Sequence, residues 1–277
     1  VNSTLAASIV CSKIIQNGDT IPVAHIESGL RSFDRTMPEE INRIVTDSIS
    51  RYLFVPEADG LLNLKKSGVN KNNVFFAGNI MIDSLVCYLQ LAKKSNVHKE
   101  LCLTKKDYAL VTLHRPSNVD SKENFVKILN IFKKINKLSP DTDIVFPVHP
   151  RTLKMIENFN LYKSLEDIRN LVLTQPIGYI DFLSLINSSK LVITDSGGIQ
   201  EETSFLNIPC LTLRENTERP ITIKHGSNVL CGSNEKLIER ELKNIFAGKF
   251  KKTKTLKYYD GKSAGRIVNV IINKILK

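Results

Sequence analysis

Leu191-Val192-Ile193-Thr194-Asp195-Ser196-Gly197-Gly198-Ile199-Gln200-Glu201-Glu202 reads as a buried strand that turns through two glycines into a helix. Such a junction can hold an anion. The glycines let a ligand approach the backbone, and the first helical N–H groups have no carbonyl partner within the helix. Glu202 follows about one turn further in, within reach of hydroxyls attached to a bound phosphate. The same turn can be read as only a tight connection. Its company favours a ligand: Glu218-Arg219-Pro220 stands just beyond the next strand, and a histidine ends each of two earlier strands.

Outward from this turn, short apolar runs alternate with amphipathic helical stretches, the pattern of an α/β fold with parallel sheets covered on both faces. Strands are expected near residues 23–26, 52–55 and 74–77, then near 108–113, 144–148, 171–174, 191–194, 210–213 and 229–231. A polar stretch, 93–106, reads as a linker between the two groups. Residues 107–250 make a complete doubly wound, nucleotide-binding domain. Residues 1–92 hold only three strands and open on an apolar helix, 5–15, so this first Rossmann-like domain is expected to be incomplete at its N-terminus. A last amphipathic helix, within 260–277, is expected to pack back onto it.

Composition narrows the function classes. The 277 residues are 42% hydrophobic, as in an ordinary globular protein, and carry a net charge of +11. The lysines are spread along the chain without interleaved aromatics, which disfavours nucleic acid, while a basic field helps draw in a small anionic substrate. Cys11, Cys87, Cys102, Cys210 and Cys231 show no zinc-ligand spacing and are odd in number, as in a reducing compartment. No apolar run approaches the roughly 20 residues of a membrane span. The expectation is a soluble cytoplasmic protein with no metal site and no membrane partner.

In open parallel sheets, ligands bind beyond the carboxyl ends of strands. His25-Ile26-Glu27-Ser28-Gly29, His114-Arg115, His149-Pro150-Arg151 and the Ser196-Gly197-Gly198 turn all fall there, and all are expected to face a cleft between the domains. Glu27 leaves a hydrophobic strand, a place where a carboxylate can serve as acid or base. Thr36-Met37-Pro38-Glu39 has the form of a capping box, so spacing alone gives Glu39 a capping role. His114 with Arg115 suits a diphosphate or a proton transfer. His149 shares that setting without a clear role, and His98 and His225 read as loop residues. Ser196 lacks a nucleophile-elbow frame and reads as a donor to phosphate; Phe182 reads as a core residue.

Together HIESGLRS (25–32), MPEEINR (37–43), VTLHRPSN (111–118), FPVHPRT (146–152), TDSGGIQEE (194–202) and NTERP (216–220) resemble the non-hydrolysing UDP-N-acetylglucosamine 2-epimerase family. The resemblance implies two Rossmann-like domains of the glycosyltransferase-B type and a reaction, without a cofactor, that interconverts UDP-N-acetylglucosamine and UDP-N-acetylmannosamine for surface polysaccharide synthesis. It implies that Glu27 and Glu39 are acid/base residues, overturning the cap-only reading of Glu39, and that His114 is an active-site histidine. Ser196, Gly197 and Gly198 match the family's phosphate turn, Glu202 its ribose-binding glutamate, Arg219 its diphosphate-binding arginine and Phe182 a residue beside the uracil. The family's Gly-Asp pair and Gly-Thr-Arg-Pro-Glu loop would lie upstream of Val1. His114-Arg115-Pro116-Ser117 stands where many bacterial members read HRRE, so regulation by a second substrate molecule is not expected. A UDP-sugar-binding module without catalysis and a glycosyltransferase of the same fold are the alternatives, and a homodimer is entertained as the assembly.

Overall fold

The computed structural model describes residues 2–103 and 107–276. It divides into two compact units, one of Val1–Val86, Asn216–Ile221 and Thr255–Lys277, the other of Cys87–Glu215 and Thr222–Lys254.

The first unit carries a two-residue hairpin, β1 (Ile15–Gln16) and β2 (Asp19–Thr20), and a parallel three-stranded sheet in the order β3 (Ala24–Ile26), β4 (Tyr52–Val55), β5 (Val74–Phe76). The hairpin corrects the expectation of a helix to residue 15: the helix is Asn2–Cys11. Asn17 and Gly18 take φ of 53° and 84°. That is the two-residue turn favoured between antiparallel strands, and it draws Ile15 out of the helix. β4 is covered on both faces. Leu53 and Val55 pack with Leu64, whereas Phe54 packs with Ala77 and Ile267 of the C-terminal helix Ser263–Val270. That helix continues into a π-helical turn, Ile271–Ile275. Its N-terminus is fixed by Asp83, whose carboxylate accepts from the N–H groups of Ser263 (3.0 Å) and Ala264 (2.7 Å), satisfying amides that the helix itself cannot.

The second unit is a six-stranded parallel sheet of β6 (Tyr108–Thr112), β7 (Asp143–Pro147), β8 (Leu171–Thr174), β9 (Leu191–Thr194), β10 (Cys210–Thr212) and β11 (Asn228–Leu230), in the order β11-β10-β9-β6-β7-β8. Numbered within the unit this is the 3-2-1-4-5-6 doubly wound order, with its switch point between β6 and β9. Alternate residues face opposite layers: Ala109, Val111, Ile144 and Ile193 enter one apolar cluster, Tyr108, Leu110, Val145 and Val192 the other. Burial on both faces is why these strands read as continuous hydrophobic runs.

Part of the stretch read as a linker belongs to this unit. Val97 joins the second apolar cluster, and His98, expected in a loop, sits on the short helix Val97–Glu100, 3.0 Å from the buried Tyr108 hydroxyl. The tyrosine needs a polar partner at that depth and also donates to the Leu185 carbonyl at 2.6 Å. Thr104, Lys105 and Lys106, the end of that stretch, lie outside the described residues, as do Val1 and Lys277.

Two glycines test how space and backbone combine. Gly29 (φ 80°) packs against the helix Ala58–Lys66 so closely that a β-carbon would stand 2.6 Å from the Gly60 carbonyl oxygen, whereas Gly68 (φ 75°) faces open space. Left-handed backbone costs an L-residue about 1–2 kcal/mol, and overpacking adds about 1–3 kcal/mol. In urea unfolding, Gly68→Ala is expected to lose only the first amount and Gly29→Ala both. Equal losses would mean that the Gly29–Gly60 contact relaxes freely.

Candidate functional site

In the first unit, β3 is followed directly by Glu27, a non-glycine residue with φ of 72°. The backbone on its far side is held from three directions: Ser28 N–H donates to the Phe54 carbonyl (3.1 Å), Gly29 N–H to Asp47 Oδ2 (3.1 Å), and Asn63 Nδ2 to the Gly29 carbonyl (2.9 Å). Such over-determination sustains a sparsely populated conformation. Its result is to aim a carboxylate at Arg219, with which Glu27 forms an ion pair.

The helix Pro38–Ile49 supplies the fastenings. Asp47, buried, accepts from His25 Nδ1 (2.7 Å) and pairs with Arg31 Nη1 (2.6 Å). Glu40, also buried, accepts from the N–H groups of Ser32 and Phe33 (3.0 Å each) and from Arg43 Nη2 (2.7 Å). Burial opposes its charge, but the Ser32, Arg43 and Phe33 hydrogen bonds outweigh that and hold its carboxyl below the usual glutamate range. Of the two adjacent glutamates, Glu40 is therefore a structural anchor, while Glu39 stands half-buried on the first turn. The Ser/Thr half of the expected capping box is not formed. Met37 occupies the N-cap position with no side-chain bond, because Thr36 donates instead to Asp34 Oδ1 at 2.6 Å. Thr4, His25, Glu27, Arg43, Glu218 and Arg219 line a cavity of about 230 Å³.

In the second unit, His114 follows β6 and Asp195 follows β9, so the switch point of the sheet brings them together. Fully buried, Asp195 accepts from the N–H groups of His114 (3.0 Å) and Arg115 (2.9 Å) and from Asn118 Nδ2 (3.0 Å), and lies 3.0 Å from His114 Nδ1. Burial disfavours its charge. The bonds from His114 and Asn118 prevail, keeping this carboxyl below the ordinary aspartate range. The His149 ring lies 5.8 Å from that of His114, while its Nδ1 accepts the Arg151 N–H at 3.2 Å and so caps the helix Pro150–Asn158.

One residue beyond Asp195 the phosphate-type turn begins. Ser196 is the N-cap of the helix Gly197–Leu206 but makes no side-chain cap bond, so its hydroxyl is not consumed there. Glu202, in that helix, is buried and accepts from the Tyr179 hydroxyl at 3.1 Å through Oε1. Its Oε2 is buried with no hydrogen-bond partner. Burial pushes the carboxyl up to about 7, against the lowering effect of Tyr179. A buried oxygen without a donor is costly and leaves this carboxylate with unused acceptor capacity. Phe182, on the helix Tyr179–Ser188, packs half-buried against the cluster containing Tyr108 and Leu185.

The structure thus joins Glu27 with Arg219 in the first unit, where Glu39 also lies, and gathers His114, Phe182, Ser196, Gly197, Gly198 and Glu202 in the second. Sequence reasoning missed Asp47, Asp195 and Tyr179, each of which acts by holding another residue. A second cavity, of about 260 Å³, between the helices Lys122–Leu138 and Glu235–Phe246, is lined by none of the residues expected to act. Among the described residues, no group of three or more histidine, cysteine or acidic side chains could hold a metal, and no helix is long and apolar enough to cross a membrane.

The second unit, a doubly wound sheet with the Gly197-Gly198 turn after β9, is a Rossmann-like domain of the glycosyltransferase-B type. Residues 1–272 match the family model for UDP-N-acetylglucosamine 2-epimerase, and the chain belongs to that family. It is 44% identical over 277 residues to a UDP-N-acetylglucosamine 2-epimerase homolog of Methanococcus maripaludis, covering 98% of this chain and 73% of that one. It is 43% identical over 274 residues to the UDP-N-acetylglucosamine 2-epimerase of Methanocaldococcus jannaschii, covering 98% and 72%. The crystal structure of the Methanocaldococcus jannaschii UDP-GlcNAc 2-epimerase in complex with UDP-GlcNAc and UDP superposes with a TM-score of 0.84 at 41% identity, over 98% of this chain and 73% of that one.

The raised Glu202 pKa makes a prediction about stability. The folded state keeps this proton up to about pH 7, whereas the unfolded chain releases it near the ordinary glutamate value of 4.5. Ionisation of the unfolded state therefore erodes stability between those values and adds no further loss above them. Glu202→Gln removes this term, so its stability relative to the parent should be greater at pH 8 than at pH 4.5, by up to roughly 3 kcal/mol. A pH-independent difference would show that Glu202 titrates alike in the folded and unfolded protein.

Proposed function

We propose that this protein interconverts UDP-N-acetylglucosamine and UDP-N-acetylmannosamine by eliminating UDP and adding it back after inversion at C2. The observation that carries the reading is the Glu27–Arg219 pair: a carboxylate held on left-handed backbone by a guanidinium, in a cavity. A glycosyl transfer has no need of that carboxylate, but abstraction of a C2 proton requires a base. Arg219 holds Glu27 in an ion pair, and a substrate anion that competes for the arginine releases the carboxylate to react.

The roles divide by residue. Ser196, Gly197 and Gly198 receive the diphosphate, whose developing charge on departure is met by amides already oriented by the fold. Glu202 accepts from the ribose hydroxyls through the oxygen that has no protein partner, with Tyr179 holding the other. Phe182 flanks the uracil. His114, its ring fixed by Asp195, supplies a proton or a hydrogen bond to the leaving diphosphate. Glu27 and Glu39 exchange the C2 proton on the two faces of the sugar, through a 2-acetamidoglucal. The cytoplasm is the proposed compartment, supported by five cysteines that are all free.

Incubation of the enzyme with UDP-N-acetylglucosamine in deuterated water, with no acceptor, should give the epimer carrying deuterium at C2. Glu27→Gln keeps size and hydrogen bonding but cannot carry a proton, so it should bind UDP normally and lose about 10²–10⁴-fold in exchange. A loss under tenfold would remove Glu27 from the proton chemistry. Arg219→Ala should weaken UDP binding in calorimetry by about 1.5–3 kcal/mol; an unchanged affinity would leave the arginine as a partner of Glu27 alone.

A further inference from the structure

The cavity that holds Glu27 has a histidine in its wall whose two ring nitrogens are treated differently. His25 Nδ1 lies 2.7 Å from Asp47 Oδ1, and that carboxylate is immobilised by Arg31 Nη1 at 2.6 Å and by the Gly29 N–H at 3.1 Å. Nε2 has no hydrogen-bond partner among the described residues, although the His25 side chain is only 10% exposed. That nitrogen is not sealed inside the protein but is open to solvent. An ionised carboxylate only accepts, so the proton of the neutral ring sits on Nδ1 and the lone pair on Nε2. Nε2 is the nitrogen left to the cavity that His25 lines together with Glu27, Arg43, Glu218 and Arg219.

We propose that His25, oriented by Asp47, relays protons between Glu27 and solvent. The inference rests on the reading of Glu27 as an acid/base group. Inversion at C2 takes a proton from one face of the sugar and returns one to the other, which leaves each carboxylate in the opposite protonation state from the one in which it started. Glu27, half-buried and paired with an arginine, needs a route by which to reset. Protonated Glu27 gives its proton to His25 Nε2, forming an imidazolium whose charge Asp47 faces. The imidazolium then gives a proton to water, restoring the neutral ring and the Glu27 carboxylate. In the reverse direction the same steps reprotonate Glu27. The carboxylate behind the ring sets its tautomer and stabilises its charged form, while Arg31 balances Asp47 when the ring is neutral.

The test is C2 exchange in deuterated water by the purified enzyme. His25→Ala should slow exchange by about 10²-fold with UDP affinity unchanged, and added imidazole should restore at least a tenth of the lost rate. Pyrazole, of nearly the same shape but a far weaker base, should restore none. His25→Gln, whose amide keeps a donor toward Asp47, should be as slow as His25→Ala, and it carries the test if the alanine variant does not fold. Exchange within twofold of the parent in the folded variant, or equal rescue by pyrazole, would overturn the relay, the latter by showing that only the shape of the ring mattered. Glu27→Gln assayed in parallel separates the two ideas. If it loses exchange while the His25 variants keep it, the relay alone fails; if it keeps exchange, the Glu27 reading fails and the relay loses its partner.

Discussion

Asp195 is the interaction on which the second unit turns. It is fully buried, and a charge at that depth is tolerated only with several donors around it. Those donors come from the segment that leaves β6, while Asp195 itself leaves β9, so one carboxylate closes the switch point of the sheet. It orients the His114 ring and, as the residue just before Ser196, sets where the phosphate turn begins. Removing it would leave backbone amides and a histidine unfixed together, which is why the geometry of the turn and that of the histidine are not independent.

Glu202 solves the opposite problem. Asp195 has enough donors to stay charged, whereas Glu202 has one, from Tyr179, and is driven toward neutrality by burial. The difference separates structure from recognition. A carboxylate whose hydrogen bonds are complete holds the fold, and one left incomplete keeps capacity to accept more, which is what the proposed ribose contact uses. Glu40 falls with Asp195 on the structural side, consumed by Ser32, Phe33 and Arg43.

Much of this was legible in the chain. The nine strands of the two parallel sheets follow from hydrophobic runs because both faces of each central strand are covered, and the Gly197-Gly198 turn stands out through the company of Glu218-Arg219-Pro220 and the strand-end histidines. What stayed hidden was tertiary. Asp195 and Asp47 matter through partners distant in sequence, and no local spacing marks an aspartate as the keeper of a histidine. Thr36 and Glu39 satisfy the capping-box spacing, yet Asp34 competes for the threonine hydroxyl. Asn17-Gly18 was a hairpin signal overshadowed by the apolar run before it, and the polarity around Val97 and His98 concealed the apolar contact that fixes them to the second unit.

Asp47 and Glu40 lie seven residues apart, two turns of one helix, so both point from the same side toward the segment that follows Glu27. One grips Gly29, the other Ser32 and Phe33. The helix therefore acts as a ruler against which the loop is measured. A single residue inserted between the two anchors would rotate one by about 100° relative to the other, and one inserted between Gly29 and Ser32 would leave a grip empty. A change of length in either stretch would therefore break a grip, whereas residues 34–37, where the chain makes its turn into the helix, lie between the two stretches.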